Sequence, residues 1–157
     1  MWAFVAILVD GSLVAWGHPL ASGVSPTGQE LKSVQQLRSN RHAFAAVLAN
    51  ASLVAWGSPY DGGDSSQVQD QLRNVREVQS TANAFAAILA DGSLVSWGDP
   101  KCGGDSSAVQ EKLYGVQQLQ GTEGAFAAVL ADGSLVTWGF PGCGGDSSRV
   151  QDQLVSW

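Results

Sequence analysis

A fifteen-residue segment that occurs four times constrains this chain more than any other feature. Its last copy reads AFAAVLADGSLVTWG and spans residues 125–139, and earlier copies span residues 84–98, 43–57 and 3–17. The tryptophans near the end of each copy are separated by 40, 41 and 41 residues. A fixed period of this length is typical of repeat arrays, whose units bury their apolar faces only against their neighbours. The sequence therefore predicts a single repeat domain over residues 1–157.

The period also sets the expected boundaries of the units. We place them at residues 1–17 (partial), 18–57, 58–98, 99–139 and 140–157 (partial). Each full unit contains about 41 residues.

Each copy of the segment predicts a β-hairpin. In one unit an apolar run from Phe85 to Ala90 is followed by Asp91-Gly92 and a second run from Leu94 to Trp97. Asp-Gly between two such runs favours a type I′ turn, whose two central residues have positive φ. Both runs are apolar on both faces, which predicts that neighbouring sheets cover each sheet on both sides.

The rest of the unit predicts one more strand and a short helix. Val75 to Thr81 has the pattern of a weak strand near a sheet edge. Within Asp105 to Leu113, the spacing of Val109 and Leu113 gives one apolar stripe on about two helical turns. The pair Ser107 and Gln110 matches a capping box at the helix start. The expected fold is mainly β, a propeller-like array of about four units, each with a hairpin, an extra strand and a short helix.

The Gly-Gly-Asp-Ser-Ser motif before this helix has three interpretations. An anion site at a helix N-terminus is disfavoured, because Asp64, Asp105 and Asp146 place negative charge where a phosphate would bind. A calcium loop would need alternating acidic ligands, which the motif lacks. We therefore interpret the motif as a helix cap.

Two places depart from the repeat. The first linker, His18 to Leu31, lacks the Gly-Gly-Asp-Ser-Ser motif, and any helix there is limited to about Gln29–Ser33. The second is Asn50-Ala51, which replaces Asp-Gly in one hairpin. Alanine at positive φ costs roughly 1 kcal/mol, so the sequence predicts that Ala51→Gly raises the melting temperature.

Charge disfavours nucleic acid as a partner. The chain has 8 Lys and Arg residues against 14 Asp and Glu residues, a net charge of −6. Phosphate backbones are bound by clustered basic side chains. Four arginines fall at nearby points of two units and are interpreted as a solvated patch: Arg38, Arg41, Arg73 and Arg76.

No stretch of the sequence has the pattern of a targeting or membrane segment. Residues 1–9 are apolar, but they recur inside the chain as ordinary repeat sequence and are soon followed by Asp10, so they predict a strand. No run approaches the ~18 apolar residues of a transmembrane helix. We expect an intracellular, cytoplasmic protein without a membrane partner.

The cysteines do not suggest a metal or a cofactor. Cys102 and Cys143 occupy the same position in adjacent units and are expected to be free thiols in a reducing compartment. With His18 and His42 as the two histidines, the chain lacks a credible zinc ligand set. We expect no cofactor.

Both ends of the array are apolar, whereas terminal repeats usually carry polar caps. Met1, Trp2 and Phe4 begin the chain, and Val155 and Trp157 end it. This favours a fragment of a longer array or a contact between the ends, and we expect open repeat ends to associate.

The repeated motif resembles the regulator-of-chromosome-condensation repeat. The resemblance covers nearly the whole chain, and its specific part is Asp-Gly followed by Trp-Gly, as in Asp91-Gly92 with Trp97-Gly98. It implies that each unit is a blade of a β-propeller, commonly of seven blades. The family usually has Gly and His at two places where this chain has Ser80 or Gly121 and Ala84 or Ala125, and its units are longer. The chain is similar to divergent relatives found in large HECT-type ubiquitin ligases.

These observations favour a non-enzymatic scaffold that binds proteins through the loops after each Trp-Gly, because those loops vary while the framework repeats. The candidate partner-binding residues are Tyr60, Asp61, Lys101, Cys102, Phe140 and Cys143. The resemblance implies two alternatives, a guanine-nucleotide exchange factor and a substrate-binding module of a ubiquitin ligase. An enzyme with a site in a central channel is a further alternative, but residues that recur in every unit are typical of structural roles.

Overall fold

A computed structural model describes residues 3–17 and 33–154 of the chain. Four small antiparallel sheets, numbered I to IV, follow one another along the sequence. Sheet I contains β1 (Ala3–Ile7) and β2 (Leu13–Gly17); sheet II contains β3 (Val34–Ser39), β4 (Ala43–Leu48) and β5 (Leu53–Gly57); sheet III contains β6 (Val75–Ser80), β7 (Ala84–Leu89) and β8 (Leu94–Gly98); sheet IV contains β9 (Val116–Gly121), β10 (Ala125–Leu130) and β11 (Leu135–Gly139). The mainly β repeat fold is confirmed.

The order of strands within the sheets agrees with the sequence pattern. In each three-stranded sheet the hairpin strand in the middle pairs with both others, so β3, β6 and β9 lie at an edge. These edge strands face one another across the sheets. Gln36 Nε2 donates to the Arg76 carbonyl at 2.7 Å, and Arg76 Nη2 donates to the Val116 carbonyl at 2.9 Å. Contacts between these edge strands therefore join sheet II to sheet III and sheet III to sheet IV.

The prediction of a two-turn helix is wrong. The structure has single turns of 3-10 helix instead, at Gln69–Gln71 and Gln110–Lys112, and a four-residue α-helix, α1, at Gln151–Leu154. The Ser107–Gln110 capping box does not form, because the Gln110 side chain bonds elsewhere. Its Oε1 accepts from Ser106 Oγ at 2.8 Å, and its Nε2 donates to the Leu94 carbonyl at 3.2 Å.

The Gly-Gly-Asp-Ser-Ser motif makes a turn rather than a helix cap. Asp105 Oδ1 accepts from the Ser107 amide at 2.9 Å, and Asp64 and Asp146 make the same bond in their units. Hydrogen bonds from Ser107 lower the pKa of Asp105 below its ordinary value. The apolar stripe nevertheless packs on the core, with Leu113 3% exposed and Val109 partly buried.

The hairpin turns are not type I′. The Gly92 amide donates to the Leu89 carbonyl at 3.0 Å, and the Leu89 amide donates to the Ser93 carbonyl at 2.9 Å. This is a three-residue loop, in which a type I turn is followed by Gly92 at a φ of +82°. Only the glycine of Asp-Gly has positive φ, since Asp91 is not among the positive-φ residues of the described chain.

We expect Ala51→Gly to stabilise the protein despite the change of turn type. Ala51 takes the place of Gly92 with a φ of +63°, where an L side chain costs about 1–2 kcal/mol. Glycine also gives the unfolded chain more conformational freedom, which offsets about 0.4–1 kcal/mol of this gain in stability. The net gain of roughly 0.5–1 kcal/mol should raise the urea midpoint at unchanged m-value. The reciprocal variant Gly92→Ala should lower the midpoint, and a lower midpoint for Ala51→Gly would contradict the strain at this turn.

Successive sheets pack face to face. The side of a sheet that carries its Phe–Trp pair is termed the aromatic face, and the opposite side the aliphatic face. The aromatic pairs are Phe4–Trp16, Phe44–Trp56, Phe85–Trp97 and Phe126–Trp138. The aliphatic faces carry Ile7 and Leu13, Val47 and Leu53, Ile88 and Leu94, and Val129 and Leu135. The aromatic face of each sheet from II to IV packs on the aliphatic face of the preceding sheet.

Alanines keep the packed sheets close. Ala84, Ala86 and Ala87 are each 0% exposed, and so is Phe85 between them. Small side chains on one sheet make room for the large rings of the next, so the core consists of a series of joints between sheets rather than one central cluster. The first linker, His18 to Leu31, and the helix expected at Gln29–Ser33 lie outside the described residues, apart from Ser33.

Candidate functional site

The loops that follow Trp-Gly in sheets II, III and IV lie at one end of the sheets, opposite the hairpin turns. Each forms a turn of 3-10 helix, at Pro59–Asp61, Pro100–Cys102 and Pro141–Cys143. Each turn ends at a glycine with positive φ: Gly62 at +93°, Gly103 at +95° and Gly144 at +98°. The sequence composition predicted loops at these places but not their regular shape. We call this end of the molecule the loop face.

Three of the six candidate residues project from the loop face. Tyr60 is 87% exposed, Phe140 is 52% exposed and Lys101 is exposed. Tyr60 and Lys101 occupy the same position of their turns, whereas Phe140 lies two positions earlier, and its ring covers Gly142. The loop face therefore carries an aromatic side chain, a cation and a second aromatic side chain on three successive units.

The other three candidates lie at the base of the loops. Asp61 is 8% exposed. Its Oδ2 lies 3.3 Å from His42 Nδ1, and its Oδ1 accepts a hydrogen bond from Asn83 Nδ2. Asn40 Nδ2 donates to the Asp61 carbonyl at 2.6 Å. Because Asn40 and His42 precede β4 of sheet II and Asn83 precedes β7 of sheet III, Asp61 links the ends of two neighbouring sheets.

Cys102 and Cys143 take the place of Asp61 in the next two units, and both are half-buried free thiols. Cys102 Sγ lies 3.9 Å from Asn83 Oδ1. Burial raises the pKa of the Cys102 thiol, and the Asp99 carboxylate raises it further. A raised pKa leaves less of the thiolate, which is the form that attacks electrophiles and binds metals.

A second set of bonds anchors the loops to the strands. Thr81 Oγ1 donates to the Cys102 carbonyl at 2.9 Å, and Thr122 Oγ1 donates to the Cys143 carbonyl at 2.8 Å. Sequence reasoning missed this network because its members lie about 20 residues apart. One signal was present: His42 occurs with Asp61, Asn83 with Cys102, and Gly124 with Cys143 in equivalent positions. The residues of the network that the sequence did not single out are Asn40, Thr81, Asn83 and Thr122.

The expected basic patch does not present four free cations. Arg41 forms an exposed ion pair with Glu123, and Arg76 donates to backbone carbonyls of β9. In the described part of the chain, no three His, Cys, Asp or Glu side chains are grouped so that they could hold a metal ion. No helix among the described residues is long and apolar enough to cross a bilayer.

Two similar grooves run between neighbouring units. One, of about 640 Å³, is lined by Asp64, Ser65, Trp97 and Asp105, and the other, of about 620 Å³, by Val109, Val136, Asp146 and Ser147. Both are bounded by the Gly-Gly-Asp-Ser-Ser turns. Since each follows from the packing of one unit on the next, the grooves belong to the framework.

No protein-family model matches the chain, and no curated protein sequence is similar to it. Solved structures are similar. Prp20p from Saccharomyces cerevisiae, in a structure described with its binding to Gsp1p and histones, has a TM-score of 0.64 at 18% identity, over 88% of this chain and 42% of that one. Yeast RCC1 (Prp20) with bound Kap60 has a TM-score of 0.59 at 17% identity, over 87% and 40% of the two chains. Human WBSCR16 has a TM-score of 0.59 at 18% identity, over 91% and 47%.

These similarities identify the class of fold. The four sheets correspond to blades of an RCC1-like β-propeller, and over residues 3–17 and 33–154 they form an array that does not close into a ring. At such identities the likeness concerns the fold, and the chain spans less than half the length of these structures. The resemblance found in the repeated motif is therefore confirmed as a blade architecture.

Proposed function

We propose that this chain is a non-enzymatic scaffold whose loop face binds a partner protein. The observation that supports it most is the contrast between Tyr60, Lys101 and Phe140, which project into solvent, and the ordered turns beneath them. Exposed aromatic and cationic side chains on a rigid support are typical of protein-binding surfaces, because little side-chain freedom is lost on binding. Asp61, Cys102 and Cys143 hold these turns in place and do not themselves form the contact surface.

The similar structures support a protein as the partner. Prp20p binds Gsp1p and histones, and Kap60 binds the yeast protein. Nucleotide exchange on a small GTPase and substrate binding within a ubiquitin ligase remain narrower forms of the same proposal. The raised pKa of the Cys102 thiol and the hydrogen bond from Asn83 to the Asp61 carboxylate support a structural rather than a catalytic role for these groups. We place the scaffold inside the cell, in the cytoplasm, because Cys102 and Cys143 are free thiols.

We expect Tyr60→Ala combined with Lys101→Ala to weaken binding of the partner. The matched control is Lys112→Ala with Tyr114→Ala, since Tyr114 is 67% exposed at the opposite end of the sheets. Both double variants remove one tyrosine and one lysine, so they differ only in the face that they alter. The measurement is quantitative affinity capture by the 157-residue chain, followed by titration calorimetry with the captured protein.

A loss of about tenfold or more in affinity for the first variant is the expected result, as for truncation of central interface residues. Phe140→Ala, tested alone, should weaken binding in the same direction. If the Lys112/Tyr114 variant loses the partner and the Tyr60/Lys101 variant keeps it, the partner binds the hairpin end and the loop face is excluded.

A further inference from the structure

Sheet I exposes an aromatic face that the other sheets bury. Phe4 and Trp16 are 62% and 51% exposed, whereas Phe85 and Trp97 at the same positions in sheet III are 0% and 5% exposed. Val14, on the same face, is 45% exposed. Contiguous apolar surface of this kind marks a binding surface on a protein.

Sheet IV presents the opposite kind of face. Val129 and Leu135 are half-buried, whereas Ile88 and Leu94 at the same positions in sheet III are 0% and 2% exposed. In sheet III the aromatic face of sheet IV covers these side chains. The aliphatic face of sheet IV has no further sheet packed on it within the described residues.

The loop beside this face keeps the geometry that receives an aromatic pair. At the joint between sheets III and IV, Trp138 Nε1 donates to the Gly103 carbonyl at 3.0 Å. A Cβ on Gly103 would lie 2.5 Å from Cδ2 of Phe126. Gly144 has nearly the same φ, +98° against +95°, but a Cβ there would have no atom within 4 Å. The place of an incoming phenylalanine ring and indole is therefore formed and open at Gly144.

We propose that the aromatic face of sheet I packs on the aliphatic face of sheet IV in a second copy of this chain. Phe4 then covers Gly144, and Trp16 Nε1 donates to the Gly144 carbonyl. The chain already makes this type of joint three times, between sheets I and II, II and III, and III and IV. A second copy carries an aromatic face with the same Phe–Trp pair that the aliphatic faces already receive within the chain. An unrelated partner would need a surface of the same shape. The contact is separate from the loop face and does not depend on the proposed function.

The joint is head-to-tail, because two different surfaces meet. Such contacts produce a closed ring when the rotation between successive copies closes, and an open chain when it does not. Since apolar side chains form the joint, its strength should change little with salt, unlike that of charged interfaces. The head-to-tail geometry distinguishes the joint from a dimer in which identical faces meet. The weak dependence on salt distinguishes it from an electrostatic contact.

The test is sedimentation of the full chain with two complementary variants. Phe4→Asp blocks the aromatic face and Val129→Asp blocks the aliphatic face. Wild type should form assemblies that grow with concentration, and each variant alone should stay monomeric, with association weakened by about 100-fold or more. An equimolar mixture should form a dimer that grows no further, because one intact joint remains, between the aliphatic face of the Phe4→Asp chain and the aromatic face of the Val129→Asp chain.

Other outcomes overturn the proposal. A monomeric wild type, or a mixture that stays monomeric, excludes the joint, and self-association of Val129→Asp alone shows that aromatic faces pair with each other. Circular dichroism and melting establish that each variant is folded. Trp16→Phe, a milder change, removes the indole donor and should weaken association roughly tenfold, whereas Tyr114→Ala should leave it unchanged. An unaltered affinity for Trp16→Phe would show that Trp16 does not donate to Gly144.

Discussion

Replacing Trp97 by alanine should remove about 3–5 kcal/mol from the free energy of unfolding, the usual cost of truncating a buried tryptophan. Trp97 is 5% exposed and lies in the joint between sheets II and III. Its ring stacks on Phe85 with centroids 5.6 Å apart, and its Nε1 donates to the Gly62 carbonyl at 2.9 Å. The total free energy of unfolding of a small domain is about 5–15 kcal/mol, so this loss is a large share of it. The melting temperature should fall by roughly 10–15 °C for a chain of this size.

The chain contains its own control for this prediction. Trp16 lies at the same repeat position and stacks on Phe4 at 5.6 Å, but it is 51% exposed. Trp16→Ala should cost no more than about 1 kcal/mol, measured by urea unfolding at a concentration at which the chain is monomeric. The difference between the two variants reports the packing of one sheet on the next.

Trp97→Phe separates the hydrogen bond from the packing. Phenylalanine fills most of the space but leaves the Gly62 carbonyl without its donor, which should cost about 1–3 kcal/mol. Equal losses for Trp97→Ala and Trp16→Ala would contradict the conclusion that the joints between sheets carry the stability of the fold.

The blade architecture follows from short-range signals, which is why the sequence predicts it well. The continuous apolar run from Ala84 to Leu89 fits a strand covered on both sides, and the structure buries that strand between two sheets. The glycine of each Asp-Gly fixes where the chain reverses. These signals act within about ten residues, and their repetition makes each one easier to recognise.

Sequence-based predictions were wrong where side chains had competing partners. Gln110 was assigned to a capping box because its spacing from Ser107 fits one, but its amide reaches the Leu94 carbonyl of a strand 16 residues earlier. Sequence spacing cannot show that a backbone acceptor outside the helix takes the bond. The prediction of a type I′ turn was wrong because Asp-Gly fits both a two-residue loop and the end of a three-residue loop.

The sequence indicates where the loop face lies, but it does not show which residues of the loops are exposed and which are buried. The variable positions after Trp-Gly identified all six candidate residues, yet only the fold shows that Tyr60 projects while Asp61, its neighbour, is buried. Asp61 is buried because Asn40, His42 and Asn83 converge on it from other parts of the chain. Such long-range polar contacts leave little pattern in a single sequence.

Gly103→Ala should lower the free energy of unfolding by about 2–5 kcal/mol, a loss comparable to that of Trp97→Ala. Two costs combine at this position. The φ of +95° is unfavourable for an L side chain, by about 1–2 kcal/mol. The new Cβ would also lie 2.5 Å from Cδ2 of Phe126, a ring that is 1% exposed. Overpacking of this kind adds about 1–3 kcal/mol.

Gly144→Ala isolates the first cost, because Gly144 has a φ of +98° and no atom within 4 Å of an added Cβ. It should lose only about 1–2 kcal/mol in urea unfolding of the monomeric chain. The two losses should therefore differ by the overpacking at Phe126 alone. If Gly103→Ala cost no more than Gly144→Ala, the Phe126 ring would move aside without cost. That result would contradict the tight packing of sheet IV on sheet III. The same Gly144→Ala variant should also weaken head-to-tail association, since its methyl group would occupy the place of the incoming Phe4 ring.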